Sequence, residues 1–172
     1  MDESTAWLEQ ARADRQAGER LVSSNASRCH IIAKYQQCAE KTVKGLIVAL
    51  RDAGVLHSQP GRDHGVARFV KVLLRLPHAI DNRAPQQHLR GLLTQEVRTG
   101  LTAIDHVAPR WPAPGQPPRR NTEYPFLEGG DWAFPAANEI FTREEVHRFR
   151  QLTYMLLAGV GRVISALRRR PI

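Results

Sequence analysis

Cysteine is scarce in this sequence, and its two copies are not placed to form a disulfide bond. Cys29 and Cys38 are nine residues apart, so on one helix their side chains would project to roughly opposite sides. A disulfide-stabilised secreted domain is therefore not expected. The pattern favours a reducing, cytoplasmic setting.

Long apolar stretches are missing as well. The longest one, residues 152–161, is well short of the roughly 20 residues that a membrane-spanning helix needs. The chain also does not open with a basic region followed by an apolar one, which would indicate secretion. We therefore expect a cytoplasmic protein that has no membrane among its partners.

Several motifs that would indicate a bound cofactor are also absent from the sequence. Histidine and cysteine do not recur at the spacing of zinc ligands, and no glycine-rich phosphate loop of the P-loop type occurs. Asp105 and His106 are adjacent, so on a helix they would point about 100° apart and are predicted to be surface residues. The sequence predicts no metal and no cofactor.

Basic residues outnumber acidic ones, and they are unevenly distributed. The net charge is +8, arginine is far commoner than lysine, and residues 148–172 contain six arginines and no acid. Residues 121–147, in contrast, contain six acids and one arginine. Positive charge attracts phosphate groups over long distances. A polyanionic partner is one interpretation of this charge, and a simple contribution to solubility is the other.

Helical periodicity dominates the chain. Five segments show it: residues 5–23, 27–53, 63–76, 85–104 and the stretch from 142 onward. The second is the clearest, because its apolar residues fall in one broad arc, and Gly54 follows as a helix stop. Thr142 and Glu145 form a capping box at the start of the last.

No strand-like alternation competes with this periodicity. We therefore predict an all-α protein, a single domain over residues 1–172 with an up-and-down bundle of four to five helices. Residues 108–141 hold most of the prolines and predict a long, irregular Pro/Gly-rich loop before the last helix. Its aromatic residues indicate that it packs onto the body.

Two basic stripes are the candidate ligand-binding residues. Lys34, Lys41 and Lys44 share one side of the second helix, and a second set shares one face of the third helix. That second set is Arg68, Lys71 and Arg75. Such side chains would hold phosphates, while Tyr124 or Trp132 could stack on a base. The alternative for each stripe is an ordinary solvated helix face.

Residues 35–44 resemble the second helix of the HEPN family, in which the pattern Q-Q-A-x-E-K-x-x-K is typical. Four further matches follow in the family's order: residues 7–11 in the first helix, His64 at the third, T-E-Y-P at 122–125 and I-F-T-R-E-E at 140–145. Glu123 departs from the pattern, since the family has arginine there. Another alignment places this element at residues 110–112.

The resemblance implies a helical bundle that forms a homodimer. It also implies binding of a nucleotide or RNA, with a nucleotidyltransferase-type protein as partner. Some members of the family are metal-independent endoribonucleases of toxin type, whereas others lack catalytic residues and serve as binding or interaction modules.

A closely spaced arginine and histidine carry out the chemistry in the nuclease members. Histidine exchanges protons as the 2′-OH attacks the phosphate, and arginine stabilises the charge that develops. Two pairs fit here, Arg83 with His88 and Arg51 with His57, which is no more than chance placement would give. Arg83 and His88 are the better candidates, because they flank the start of the fourth helix as in the family.

The first interpretation is therefore a HEPN-like nucleotide- or RNA-binding module without a convincing catalytic motif. The alternative is a metal-independent endoribonuclease that uses Arg83 and His88. A third hypothesis is a structural adaptor whose charge is incidental.

Overall fold

The computed structural model describes residues 1–57, 66, 72–73, 80, 83–109, 120–128, 130–136 and 140–169. Five helices and two short strands lie within these ranges. They are α1 (Glu3–Ser23), α2 (Arg28–Asp52), α3 (Arg83–Leu92), α4 (Gln95–His106), β1 (Phe126–Glu128), β2 (Asp131–Ala133) and α5 (Arg143–Arg168). The prediction of an all-α helical bundle is confirmed.

Helices α1 and α2 pack against each other as an antiparallel pair. Asp2 caps α1 by accepting a 2.9 Å hydrogen bond from the Thr5 backbone N–H, as N-cap aspartates commonly do. The close approach of α2 to α1 depends on Gly45, because a Cβ at this position would lie 3.2 Å from the Ser4 carbonyl oxygen. The predicted stop at Gly54 is confirmed, since its φ of 74° is the left-handed conformation that follows a helix end.

The segment predicted as one helix over residues 85–104 forms two helices, α3 and α4, which corrects that prediction. Helix α3 ends at Leu92, and Thr94 caps α4 by accepting a hydrogen bond from the Val97 N–H at 3.3 Å. The Arg98 guanidinium donates to the Leu93 carbonyl at 2.8 Å, so a carbonyl exposed by the break has a partner. Both short helices keep their apolar residues on one side, which is why periodicity alone did not show the break.

Contacts with α5 fix the direction of α3 and α4. A Cβ at Gly159 would lie 2.5 Å from Leu92 of α3, and one at Gly100 of α4 would lie 2.8 Å from Leu152. The chain from α3 to α4 thus runs antiparallel to α5, and the bundle is of the up-and-down type.

The predicted irregular loop contains a β-hairpin that the sequence did not reveal. Strands β1 and β2 are antiparallel, with Phe126 opposite Ala133 and Leu127 opposite Trp132. The first pair is buried and the second is exposed, as the two faces of a strand require. The loop packs onto the body through Phe126, whereas Trp132 faces solvent, contrary to the expectation that its aromatics pack inward.

Helix α5 starts as the sequence predicts. Thr142 and Glu145 form the complete capping box, with reciprocal hydrogen bonds of 3.1 and 2.8 Å. Arg120 donates to both Glu145 carboxylate oxygens at 3.1 and 2.9 Å and stacks on the Phe141 ring. The segment that leads into the hairpin is thereby fixed to the start of α5.

Most of the predicted third helix lies outside the described residues, and with it Arg68, Lys71, Arg75 and His64. Asp105 is buried, which corrects its predicted surface position. Its carboxylate accepts a 2.5 Å hydrogen bond from the Val66 N–H. No helix in the described ranges has the length and apolar character needed to cross a membrane.

Candidate functional site

The lysine stripe of α2 lies against α1 at Lys41 and Lys44, whereas the Lys34 side chain is 36% exposed and lines a cavity beside the hairpin. The Lys41 ammonium lies 2.5 Å from Asp14, and Lys34 lies 3.9 Å from the same carboxylate. Lys44 is only 6% exposed. These three residues therefore pair with acids of the bundle, and the structure does not present them together on an open surface.

The E-K-x-x-K part of α2 has a structural role. Lys44 donates a 2.6 Å hydrogen bond to Glu40 one turn earlier, and both side chains are buried. The Lys44 ammonium also lies 5.3 Å from the centre of the Trp7 ring, a cation–π contact with α1. Trp7 belongs to the segment that resembles the family's first helix, so both motifs meet at one helix–helix contact.

Arg83 and His88 both lie on α3, where Arg83 is exposed and His88 is partly exposed. Five residues apart on a helix, they point about 140° apart around its axis. Arg51, of the other pair, donates to Glu3 at 3.0 Å and to Asp52 at 2.7 Å. The helix that carries Arg51 ends at Asp52, well before His57.

A different set of basic residues lines a cavity of about 430 Å³ between the start of α2 and the first turns of α5. Its charged lining consists of Arg28, Arg143, His147 and Arg150, and none of its described lining residues is acidic. We call it the arginine cavity. Arg143, His147 and Arg150 follow the helical spacing i, i+4 and i+7, so α5 presents them on one face.

Two of the arginines are held in place by hydrogen bonds. Arg28 donates to the Phe141 carbonyl oxygen at 2.8 Å, which ties α2 to the residue before the α5 cap. Arg150 contacts both carboxylate oxygens of Glu19 at 3.0 and 2.5 Å. Arg143 and His147 are exposed and make no hydrogen bond or ion pair within the described part of the chain. The cavity thus combines two arginines held by hydrogen bonds with two exposed side chains that are not held in this way.

Glu19 links the cavity to the core. It accepts a 3.3 Å hydrogen bond from the fully buried Tyr35 hydroxyl and pairs with Arg15 at 3.6 Å. Burial, together with the nearby Glu19 charge, raises the pKa of Tyr35 to about 12. Tyr35 therefore stays protonated and donates to Glu19, whose carboxylate lies between Arg15 and Arg150.

Two further cavities adjoin the arginine cavity. One of about 580 Å³ lies between α2 and the hairpin, is lined by Phe134, Pro125 and Thr122 among others, and shares Ala136 with the arginine cavity. We call it the hairpin groove. The other, of about 460 Å³, is lined by Arg15, Glu96, Gln151, Tyr154 and Met155 and shares His147 and Arg150 with the arginine cavity. We call it the Tyr154 cavity.

Two exposed aromatic rings line the neighbouring cavities, Phe134 in the hairpin groove and Tyr154 in the Tyr154 cavity. Phe134 is 55% and Tyr154 62% exposed, unusually open for such large apolar groups. Trp132, outside these linings, is 60% exposed. Tyr124 is 41% exposed, in a turn held by Asn121, whose side chain accepts from the Tyr124 N–H at 2.6 Å. That Tyr124 or Trp132 stacks on a base stays a prediction.

Comparison of the chain with protein-family models, curated proteins and solved structures gave no match. The candidate site therefore stands on geometry. Within the ranges that the structure describes, no group of three His, Cys, Asp or Glu side chains could hold a metal ion.

Sequence reasoning missed the arginine cavity. Its signal was present in α5, where Arg143, His147 and Arg150 recur on one face at helical spacing. The capping box beside them explained that segment as a helix start, and Arg28 lies 115 residues before Arg143. Only the fold brings Arg28 to this face.

Proposed function

We propose that this protein is a HEPN-like nucleotide- or RNA-binding module whose arginine cavity receives a phosphate group. One observation carries the proposal: three arginines and a histidine converge on one cavity whose described lining includes no carboxylate. Guanidinium groups bind phosphate oxygens through paired, charge-assisted hydrogen bonds. The open aromatic rings nearby supply surfaces on which bases can stack.

Glu19 balances Arg150, whereas the exposed Arg143 and His147 make no hydrogen bond or ion pair within the described residues. A bound phosphate would supply a negative charge to pair with Arg143. The position of Arg143 in a concave site with Arg28 and Arg150 favours a ligand role over an ordinary solvated helix face.

The binding module is preferred to the endoribonuclease because neither Arg83 nor His88 lines the arginine cavity. A homodimer and a nucleotidyltransferase-type partner belong to the proposal through the family resemblance alone. The α2 lysines have no part in it, because they pair with Asp14 and Glu40.

Binding of a fluorescein-labelled, mixed-sequence single-stranded RNA at several salt concentrations tests the proposal. Loss of one arginine–phosphate contact in Arg143→Ala should lower affinity about tenfold. It should also reduce the slope of log affinity against log salt by about 1. Arg162→Ala is the matched control, because Arg162 is an exposed arginine of the same helix outside the cavity lining.

Equal losses in Arg143→Ala and Arg162→Ala would show that only overall charge matters, and no binding by the wild type would refute the proposal. The RNA should be recovered intact after incubation in EDTA. Cleavage that disappears in His88→Ala would instead establish the endoribonuclease.

A further inference from the structure

The Tyr154 cavity is the neighbour most closely joined to the arginine cavity. It shares two basic residues with it, His147 and Arg150, whereas the hairpin groove shares only Ala136. Tyr154 lies four residues after Arg150 on α5, about 6 Å further along the axis. A ligand whose phosphate contacts Arg150 is thus within one helical turn of the tyrosine ring.

The ring of Tyr154 is held in position but remains open. The Arg15 guanidinium lies over it, 5.3 Å from the ring centre, a cation–π arrangement that restricts the ring. Arg15 itself pairs with Glu19. Since Tyr154 is still 62% exposed, a flat group can stack on the part of the ring that faces solvent.

The polar lining of this cavity suits a base better than a second phosphate. Glu96 carries a negative charge there and Gln151 an uncharged amide, while the charge of Arg15 is shared with Glu19. A carboxylate repels phosphate but accepts hydrogen bonds from amino groups on bases, as glutamate does from the amino group of cytosine.

We infer that the Tyr154 cavity is the base subsite of the arginine cavity. The base of a nucleotide stacks on Tyr154, and Glu96 accepts a hydrogen bond from its exocyclic amino group. The inference rests on the proposed function and adds a chemical preference to it. Nucleotides whose base has an amino group (adenine, cytosine or guanine) bind better than those with uracil.

Titration calorimetry with CMP, UMP and inorganic phosphate tests the subsite. Tyr154→Ala should weaken CMP binding about tenfold, the loss expected for one base–aromatic stack, and should leave phosphate binding unchanged. Tyr154→Phe keeps the ring and should bind CMP like the wild type. Glu96→Gln should bring the CMP and UMP affinities close together.

Phe134→Ala is the matched control, because Phe134 is an exposed aromatic residue of the hairpin groove. Equal CMP affinity in Tyr154→Ala and the wild type, or a loss of CMP affinity only in Phe134→Ala, would refute the base subsite. Phosphate binding by the wild type would in that case still support the arginine cavity as a phosphate site. If the wild type bound neither phosphate nor nucleotide, the proposed function itself would fail.

Discussion

The buried pair of Lys44 and Glu40 shows how a polar residue can be part of a core. Both side chains are more than nine-tenths buried, in a position where an unpaired charge is very unfavourable. The ammonium keeps two partners there, the Glu40 carboxylate at 2.6 Å and the Trp7 ring at 5.3 Å. These contacts place Lys44 among the residues that specify how α1 packs on α2.

Replacing Lys44 with methionine should therefore destabilise the fold. Lys44→Met retains the volume but removes the ammonium that balances the buried Glu40 carboxylate, so the free energy of unfolding should fall by about 3–5 kcal/mol. Adding Glu40→Gln removes that charge and should recover most of the loss. Urea unfolding of the two variants measures both effects.

A loss of RNA affinity by Lys44→Met in samples that remain fully folded, with unchanged urea unfolding, would contradict this role. It would instead restore Lys44 as a ligand-binding residue.

At the scale of elements, glycine sets how closely α3 approaches α5. A Cβ at Gly159 would lie 2.5 Å from Leu92 Cδ1 and 3.3 Å from its Cγ, whereas one at Gly161 would meet nothing within 4 Å. The two glycines are two residues apart on one helix. Of these two glycines, only Gly159 allows a close approach between helices.

Alanine at these two positions should have opposite effects. Gly161→Ala should raise the free energy of unfolding by up to about 1 kcal/mol, because alanine is the better helix former. Gly159→Ala gains the same propensity but displaces Leu92, and overpacking of this kind costs about 1–3 kcal/mol. Urea unfolding compares them, and similar stabilities would mean that Leu92 moves aside at no cost.

Helix boundaries were predictable wherever a local chemical signal marks them. Gly54 and the pair Thr142 and Glu145 act on their own backbone, so their roles can be read from neighbouring residues. Thr94 acts in the same local way, but the apolar stripe continues through it and concealed the break. The hairpin was missed because each strand has only three residues.

For the whole molecule, carboxylates that join separate parts of the fold make stability depend on pH. Burial opposes ionisation of Glu145, but the Arg120 guanidinium and the Thr142 N–H together lower its pKa. The pKa of Asp2 is also well below its usual range, because it accepts hydrogen bonds from the Thr5 N–H and the Ser4 hydroxyl and lies beside Arg168.

Because these carboxylates have a lowered pKa in the folded state, their contribution to stability is complete above the ordinary carboxylate pKa of about 4. That contribution is lost progressively as the pH falls from there through the lowered pKa. We therefore expect the free energy of unfolding to decrease below about pH 4. Glu145→Gln keeps a side-chain acceptor for the capping box and should flatten part of this decrease. Urea unfolding between neutral and acid pH measures it, and parallel curves would exclude a contribution from Glu145.

The candidate site was the feature that the sequence predicted least well, because it depends on how the whole molecule is arranged. Periodicity gives the side of a helix on which a lysine lies but not what faces that side. Lys41 meets Asp14 of another helix, and Arg28 meets Phe141, 113 positions later in the sequence. A basic stripe in a sequence therefore does not show where basic side chains gather in the fold.

The contact between Asp2 and Arg168 has a consequence for how the chain folds. Their side chains lie 2.7 Å apart although 166 residues separate them. Helices α1 and α2 can associate early, because only a short turn connects them. The start of α1 obtains its arginine partner only when the end of α5 arrives, so during synthesis this bond cannot form before residue 168 has been made.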